Sequence, residues 1–191
     1  APTSVPRMVI LYGKCGTGKT HAAHEMAKAY YYNAVTINCS EIRTTGPLQK
    51  QLQRTCLCRS FGQKTMLIMD EIDGLYLDDG SDRSVADMMC DFFQYHEDSK
   101  TMTPIIATCN SLHVPVLKRL KEYATCINFR RLSTKALVHL GKKLGCVNDS
   151  LLNFAAERAQ GDIRQMKYIL QGHRTTNGDM HLSVFDVVRE L

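Results

Sequence analysis

The stretch "LYGKCGTGKT", Leu11 to Thr20, decides how this chain is read. It holds Gly13, four intervening residues, and then Gly18-Lys19-Thr20. The apolar run "MVILY" (8–12) precedes it, and a helical pattern near 18–31 follows. A glycine-rich loop between a strand and a helix turns its backbone N–H groups inward around phosphate oxygens, at the positive end of the helix. The backbone of Gly13, Lys14, Cys15, Gly16, Thr17 and Gly18 is therefore expected to wrap a nucleoside triphosphate. Lys19 is expected to reach the β- and γ-phosphates, and the Thr20 hydroxyl to ligate Mg²⁺. A nucleoside triphosphate and Mg²⁺ are the expected ligands.

Further along, "TMLIMDEIDGL" is an apolar strand that ends in Asp70-Glu71. A carboxylate there can hold Mg²⁺ through its water shell, and the next can orient the attacking water. Asp70 takes the first role and Glu71 the second. Asp73 and the acidic loop 77–82 read as solvated turn residues. A third strand, "PIIATCNS", ends in Asn110, at the sheet edge where ligands bind in open α/β folds. Asn110 could touch the γ-phosphate or the attacking water.

The apolar runs 8–12, 34–39, 65–69, 104–109 and 124–129 show no polar alternation, as strands buried on both faces require. Helical patterns near 18–31, 48–59, 84–98 and 114–123 lie between them. This alternation predicts an α/β fold with a parallel five-stranded sheet flanked by helices. After Leu132 only helices are expected. "STKALVHLGKKLG" puts Ala136, Leu137, Leu140 and Leu144 on one face, and "NDSLLNFAAERAQG" stops at Gly161. "DIRQMKYILQG" starts at Asp162 as N-cap, and a short helix is expected at 183–190. The expected domains are 1–132, nucleotide-binding, and 133–191, a small all-α lid.

The net charge of +5 is unevenly placed: residues 1–99 carry 10 Lys/Arg against 12 Asp/Glu, and residues 100–191 carry 14 against 7. The basic half suits phosphates, acidic protein or simply solvated faces. Eight cysteines without paired metal spacing read as reduced thiols of an intracellular protein. No apolar run approaches the roughly 18 residues that span a bilayer, so no membrane partner is expected.

A glycine loop, a strand ending in Asp-Glu, a strand ending in Asn and a helical appendage together resemble the AAA+ ATPases. In that family these are Walker A, Walker B, sensor 1 and the lid. "AQGDIRQMKYIL" resembles the lid helix carrying the sensor 2 arginine, which maps to Arg164. The resemblance implies that the nucleotide is ATP and that Arg164 reaches the γ-phosphate; the alternative is a surface arginine in a first helical turn. It covers Met8 to about Gln171. The Gly-Asp-x-Arg form is typical of clamp loaders and of origin-recognition and helicase-loader proteins. Small clamp-loader subunits carry an arginine finger in a Ser-Arg-Cys triplet. That triplet aligns with residues 122–124 here and puts Tyr123 at the arginine position. Large subunits of the replication factor C family also lack the finger, and "LIMDEIDGL" and "GDIRQ" resemble them most.

Residues 86–93, "ADMMCDFF", are similar to the segment with which clamp loaders grip sliding clamps, with Met89, Phe92 and Phe93 at its apolar positions and Ala86 for the usual Gln. The alternative is an amphipathic core helix. The resemblance thus implies an ATP-hydrolysing subunit of a clamp loader, loading a clamp onto DNA for replication or repair. Its partners would be other AAA+ subunits, the clamp, and DNA held through phosphates, in a nuclear setting. Lys118, Arg119, Lys121, Arg130 and Arg131 could face DNA, a neighbouring subunit or water. An origin-recognition or helicase-loader ATPase would share the nucleotide motifs but carry a winged-helix domain. A scaffold that binds ATP without hydrolysing it would not need Glu71. Lys14-Cys15 departs from the family's proline-rich loop start. The seven residues before Met8 suggest a fragment or a form with weaker adenine recognition.

Overall fold

The computed structural model describes residues 8–41, 45–57, 64–75, 87–91, 103–114 and 117–174. The chain falls into two compact units. The first runs to Gly13 and then from Lys19 to Phe129. The second combines Lys14–Gly18 with the chain from Arg130 onward.

In the first unit, β1 (Met8–Tyr12), β2 (Asn33–Asn38), β3 (Thr65–Asp70), β4 (Ile105–Cys109) and β5 (Ala124–Asn128) form one sheet in the order β2-β3-β4-β1-β5. Every pairing is parallel. The helices are α1 (Lys19–Ala29), α2 (Thr45–Leu57), α3 (87–91) and α4 (Leu117–Leu120). Successive strand residues point to opposite faces, and both faces are buried in β1, β3 and β4, whereas the edge strands β2 and β5 are largely half-buried or exposed. Met8, Ile10, Leu67, Met69, Ile105 and Ala107 pack with Leu48 and Leu52 of α2, Met89 and Cys90 of α3, and Leu117 and Leu120 of α4. Leu11, Met66, Ile68 and Ile106 pack with Ala23 and Ala27 of α1. Small side chains on α1 let its backbone lie close to the sheet. This two-sided burial is why β1, β3 and β4 read as continuous apolar runs; the runs at 34–39 and 124–129, expected to be buried in the same way, are edge strands instead.

The order places β1 between β4 and β5. The connection leaving β1 travels to the far edge, and the one leaving β4 passes β1 to the other side. Such a reversal opens a crevice at the carboxyl ends of the central strands. The helix expected at 114–123 is shorter: α4 makes one turn and a 3₁₀ turn, Lys121–Tyr123, follows. Leu117 and Leu120 are the fully buried side chains of α4, and β5 begins at Ala124, directly after the 3₁₀ turn.

The second unit holds α5 (Thr134–Lys143), α6 (Asp149–Ala159) and α7 (Ile163–Arg174). Leu137, Leu152, Ala155, Ala156, Ala159, Met166 and Leu170 form its core. Ser133 Oγ accepts the Ala136 N–H at 3.3 Å and Asn148 Oδ1 the Leu151 N–H at 3.0 Å, capping α5 and α6. Each such cap contributes about 1 kcal/mol. The expected helix at 183–190 lies outside the described residues.

Candidate nucleotide site

The carboxyl ends of β1, β3 and β4 converge on Lys19. The chain leaves β1 through Gly13, at φ +148°, where a Cβ would overlap the Phe129 carbonyl oxygen. No other residue fits there. Gly13 N–H donates to the Cys109 carbonyl at 3.3 Å, and Phe129 N–H to the Tyr12 carbonyl at 2.7 Å, so pairing with both neighbours continues past the end of β1. Lys19 is 8% exposed. Its ammonium donates to the Gly13 carbonyl at 2.7 Å and to Asn110 Oδ1 at 3.2 Å. A buried ammonium is stable only with such acceptors. They hold the charge at the root of the loop.

One turn of α1 begins with Lys19-Thr20, so the Thr20 side chain points at β3. Its Oγ1 donates to Asp70 Oδ1 at 2.8 Å. Two hard oxygens this close suit Mg²⁺, which takes few protein ligands and keeps waters and phosphate oxygens for the rest. Among the described residues no group of three or more His, Cys, Asp or Glu could hold a metal by itself.

Glu71, the first residue past β3, is exposed and sits at φ 55°, ψ 48°. That left-handed conformation is uncommon for a residue with a side chain and clusters at functional sites. Its N–H donates to Thr108 Oγ1 at 3.1 Å, and its carbonyl accepts the Gly74 N–H at 2.8 Å. Thr108 Oγ1 in turn donates to Asp70 Oδ1. Asp73, expected as a solvated turn residue, instead accepts the Asn110 N–H on Oδ2 at 2.8 Å and ties the turn after β3 to the end of β4. Neither Thr108 nor Asp73 stood out as a site residue in sequence. The one signal was a hydroxyl inside the otherwise apolar run "PIIATC".

Two thiols lie under this acidic end. Burial, with Asp70 and then Asp73 adding to it, pushes Cys39 up to about 12. Burial and then Asp73 push Cys109 to about 12 as well. Both stay protonated at neutral pH. Cys15, Cys39, Cys90, Cys109, Cys126 and Cys146 are free thiols, and of these six only Cys15 is exposed.

The tip of the loop belongs to the helical unit. Thr17 Oγ1 donates to the Lys14 carbonyl at 2.9 Å and closes the tip. Ile163 N–H, at the start of α7, donates to the Gly16 carbonyl at 2.9 Å. A Cβ at Gly16 (φ +75°) would overlap the Asp162 carboxylate. That carboxylate caps α7 by accepting the Gln165 N–H at 3.0 Å. Arg164 is exposed, with Nη1 3.9 Å from Cys15 Sγ. The loop tip and Arg164 therefore share one helix start.

The clamp-grip reading of residues 86–93 needs a correction at Met89. It is 1% exposed, packed in the core under the sheet, and cannot present its side chain to a partner. Phe92, Phe93 and Ala86 lie outside the described residues. Tyr123, at the expected finger position, is half-buried against the same core. Of the basic residues, Arg119 pairs with Asp87 and Arg131 donates to the Gln160 carbonyl at 2.8 Å, while Lys118 and Arg130 are exposed.

The sequence profile of the ATPase family associated with various cellular activities, AAA, matches residues 9–131. The chain belongs to the AAA family. It is thus an AAA-family ATPase domain, and such domains bind nucleotide with a divalent metal, which the Thr20 and Asp70 oxygens fit. The AAA match begins in β1 and ends just past β5, so it spans the whole sheet with the glycine loop and the Asp70-Glu71 strand. The chain is similar to the replication factor C large subunit of Sulfolobus acidocaldarius, 30% identical over 195 residues, covering 97% of this chain and 42% of that protein. It is 31% identical over 174 residues to the Sulfurisphaera tokodaii large subunit (87% and 38% covered). With the Methanococcus vannielii large subunit it shares 24% over 199 residues (95% and 39%). The chain spans about two fifths of the length of these relatives.

Proposed function

We propose that this chain is the ATP-hydrolysing module of a sliding-clamp-loader subunit. The observation that carries the reading is the joining of loop, β3 and β4 in one cluster: Lys19 bonded to Asn110, and Thr20 bonded to Asp70. The likeness to replication factor C large subunits supports the choice of loader. In this reading the backbone of Gly13, Lys14, Cys15, Gly16, Thr17 and Gly18 surrounds the triphosphate of ATP, and Lys19 meets the β- and γ-phosphates. Thr20, and Asp70 through water, would hold a Mg²⁺ that neutralises phosphate charge. Glu71 orients the attacking water, Asn110 positions the γ-phosphate or that water, and Arg164 senses the γ-phosphate from the lid.

No arginine stands at the expected finger position, where Tyr123 packs against the core. The chain would receive a finger from a neighbouring AAA+ subunit, and such a finger accelerates hydrolysis by about 10³–10⁵. In the assembly, ATP binding would favour the form that holds the clamp, and hydrolysis would release it on DNA. DNA contact would run mainly to phosphates, hence sequence-independent and weakened by salt.

The test is ATP binding and turnover by the chain alone and with partner AAA+ subunits, clamp and primed DNA. The proposal expects binding by the chain alone, slow turnover alone and a large stimulation in the assembly. Lys19→Ala should lose binding, and Glu71→Gln should bind but not turn over. Fast turnover by the isolated chain, or normal turnover by Glu71→Gln in the assembly, would refute it.

A further inference from the structure

We propose that Thr108 is a positioning residue for ATP hydrolysis, its single hydroxyl fixing both the Asp70 carboxylate and the backbone turn that presents Glu71. The proposal rests on the reading of Asp70 and Glu71 given above. Thr108 is one of three polar residues buried among the described residues, at 1% exposure in the fully buried strand β4. A hydroxyl there is disfavoured unless bonded. It is bonded twice, and each bond goes to the site.

The direction of those bonds is forced. The Glu71 N–H can only donate, so Thr108 Oγ1 accepts from it, at 3.1 Å. The one hydroxyl proton is then left for an acceptor, and it goes to Asp70 Oδ1. The Thr20 hydroxyl reaches the same oxygen from α1 at 2.8 Å. Two hydroxyls, one from α1 and one from β4, thus fix the rotation of one carboxylate.

The register explains why a side chain is needed. Residue pairing between β3 and β4 runs from Leu67↔Ile105 to Met69↔Ala107 and stops there. The next pair would be Asp70 and Thr108. Beyond it the backbone of β3 turns away at Glu71, in the left-handed region. The Glu71 N–H has left the ladder, and the Thr108 hydroxyl replaces the missing backbone acceptor. Threonine is suited to this, because a β-branched side chain in a strand is stiff at χ1 and keeps Oγ1 aimed at one place. From the next two residues of β4's exit, Asn110 reaches Lys19 through its side chain and Asp73 through its N–H. Thr108 and Asn110 are therefore two successive ties from one strand end to the three residues on which the reaction would depend.

The experiment uses the full chain in its loader assembly and separates binding from turnover. Thr108→Val keeps the shape and removes the hydroxyl; Thr108→Ser keeps the hydroxyl. The proposal expects Thr108→Val to bind ATP within about 3-fold of wild type while kcat falls about 10- to 100-fold, the usual range for losing a group that orients a ligand or base. Thr108→Ser should recover most of that rate. Should Thr108→Val fail to fold, Thr108→Ala against Thr108→Ser isolates the hydroxyl at nearly equal volume. Equal kcat in either pair overturns the proposal, as does an equal loss of binding and rate in Thr108→Val. Glu71→Gln in parallel tests the underlying reading by itself. Normal turnover in Glu71→Gln would sink that reading, whereas a dead Glu71→Gln with an unaffected Thr108→Val would sink only this inference.

Discussion

The contact between Gly16 and Asp162 can be tested by replacing each with alanine, singly and together. A side chain at Gly16 meets two obstacles. Its φ of +75° lies in the left-handed region, which costs a residue with a Cβ about 1–2 kcal/mol. The new methyl also displaces the Asp162 carboxylate, which then loses its bond to the Gln165 N–H, a cap worth about 1 kcal/mol. Gly16→Ala should therefore cost about 2–3 kcal/mol in all. Asp162→Ala removes only the cap, about 1 kcal/mol. Once Asp162 is gone, a methyl at residue 16 has only the backbone strain left to meet. The double variant should then be about 1 kcal/mol more stable than the sum of the single effects, well beyond the roughly 0.3–0.5 kcal/mol scatter of independent sites. The chain has no tryptophan, so urea unfolding is followed by far-UV circular dichroism. Amide exchange across α7 reads the helical unit directly. Additive effects would refute the contact, and with it the reason for a glycine at this position.

Three further outcomes follow from the same geometry. Met89→Ala should destabilise the chain by about 2–5 kcal/mol, because it empties a core position, and thermal unfolding checks this directly. Cys39 and Cys109 hold their protons more tightly folded, at about 12 against an ordinary 9.0. Stability from these groups is complete below pH 9 and declines as pH rises from 9 toward 12; a Cys39→Ala variant should show a flatter alkaline limb in a pH series of unfolding midpoints. In native protein at neutral pH a maleimide should label exposed Cys15, with ATP slowing it, and should reach Cys39 and Cys109 only after unfolding.

Much of this arrangement could be read from residue order. The loop from Gly13 to Thr20 is local, and its glycines, lysine and threonine sit at spacings that only a phosphate loop requires. The central strands β1, β3 and β4 showed as unbroken apolar runs because helices pack on both of their faces. The helices α5 to α7 showed through 3.6-residue periodicity, and α7 also through Asp162 as its cap. What sequence left hidden depends on pairing across distance. Thr108 acquires its partners only when β4 lies beside β3 in one register, and Asp73 only when its turn meets the end of β4. The bond from Ile163 to Gly16 joins residues far apart in the chain, and nothing local marks either. Met89 shows the opposite case. Its spacing to the two phenylalanines fits a recognition segment, yet a methionine on an amphipathic turn meets the core first, and burial decides its role.

The central claim is that this AAA-family chain couples ATP to a sliding clamp. The most direct measurement is binding of the chain to a clamp, with and without ATP·Mg²⁺, beside a Phe92→Ala/Phe93→Ala variant. The account predicts binding that ATP strengthens and that the double variant loses while its ATP binding stays intact. A clamp that ignores the wild-type chain under both conditions would contradict it.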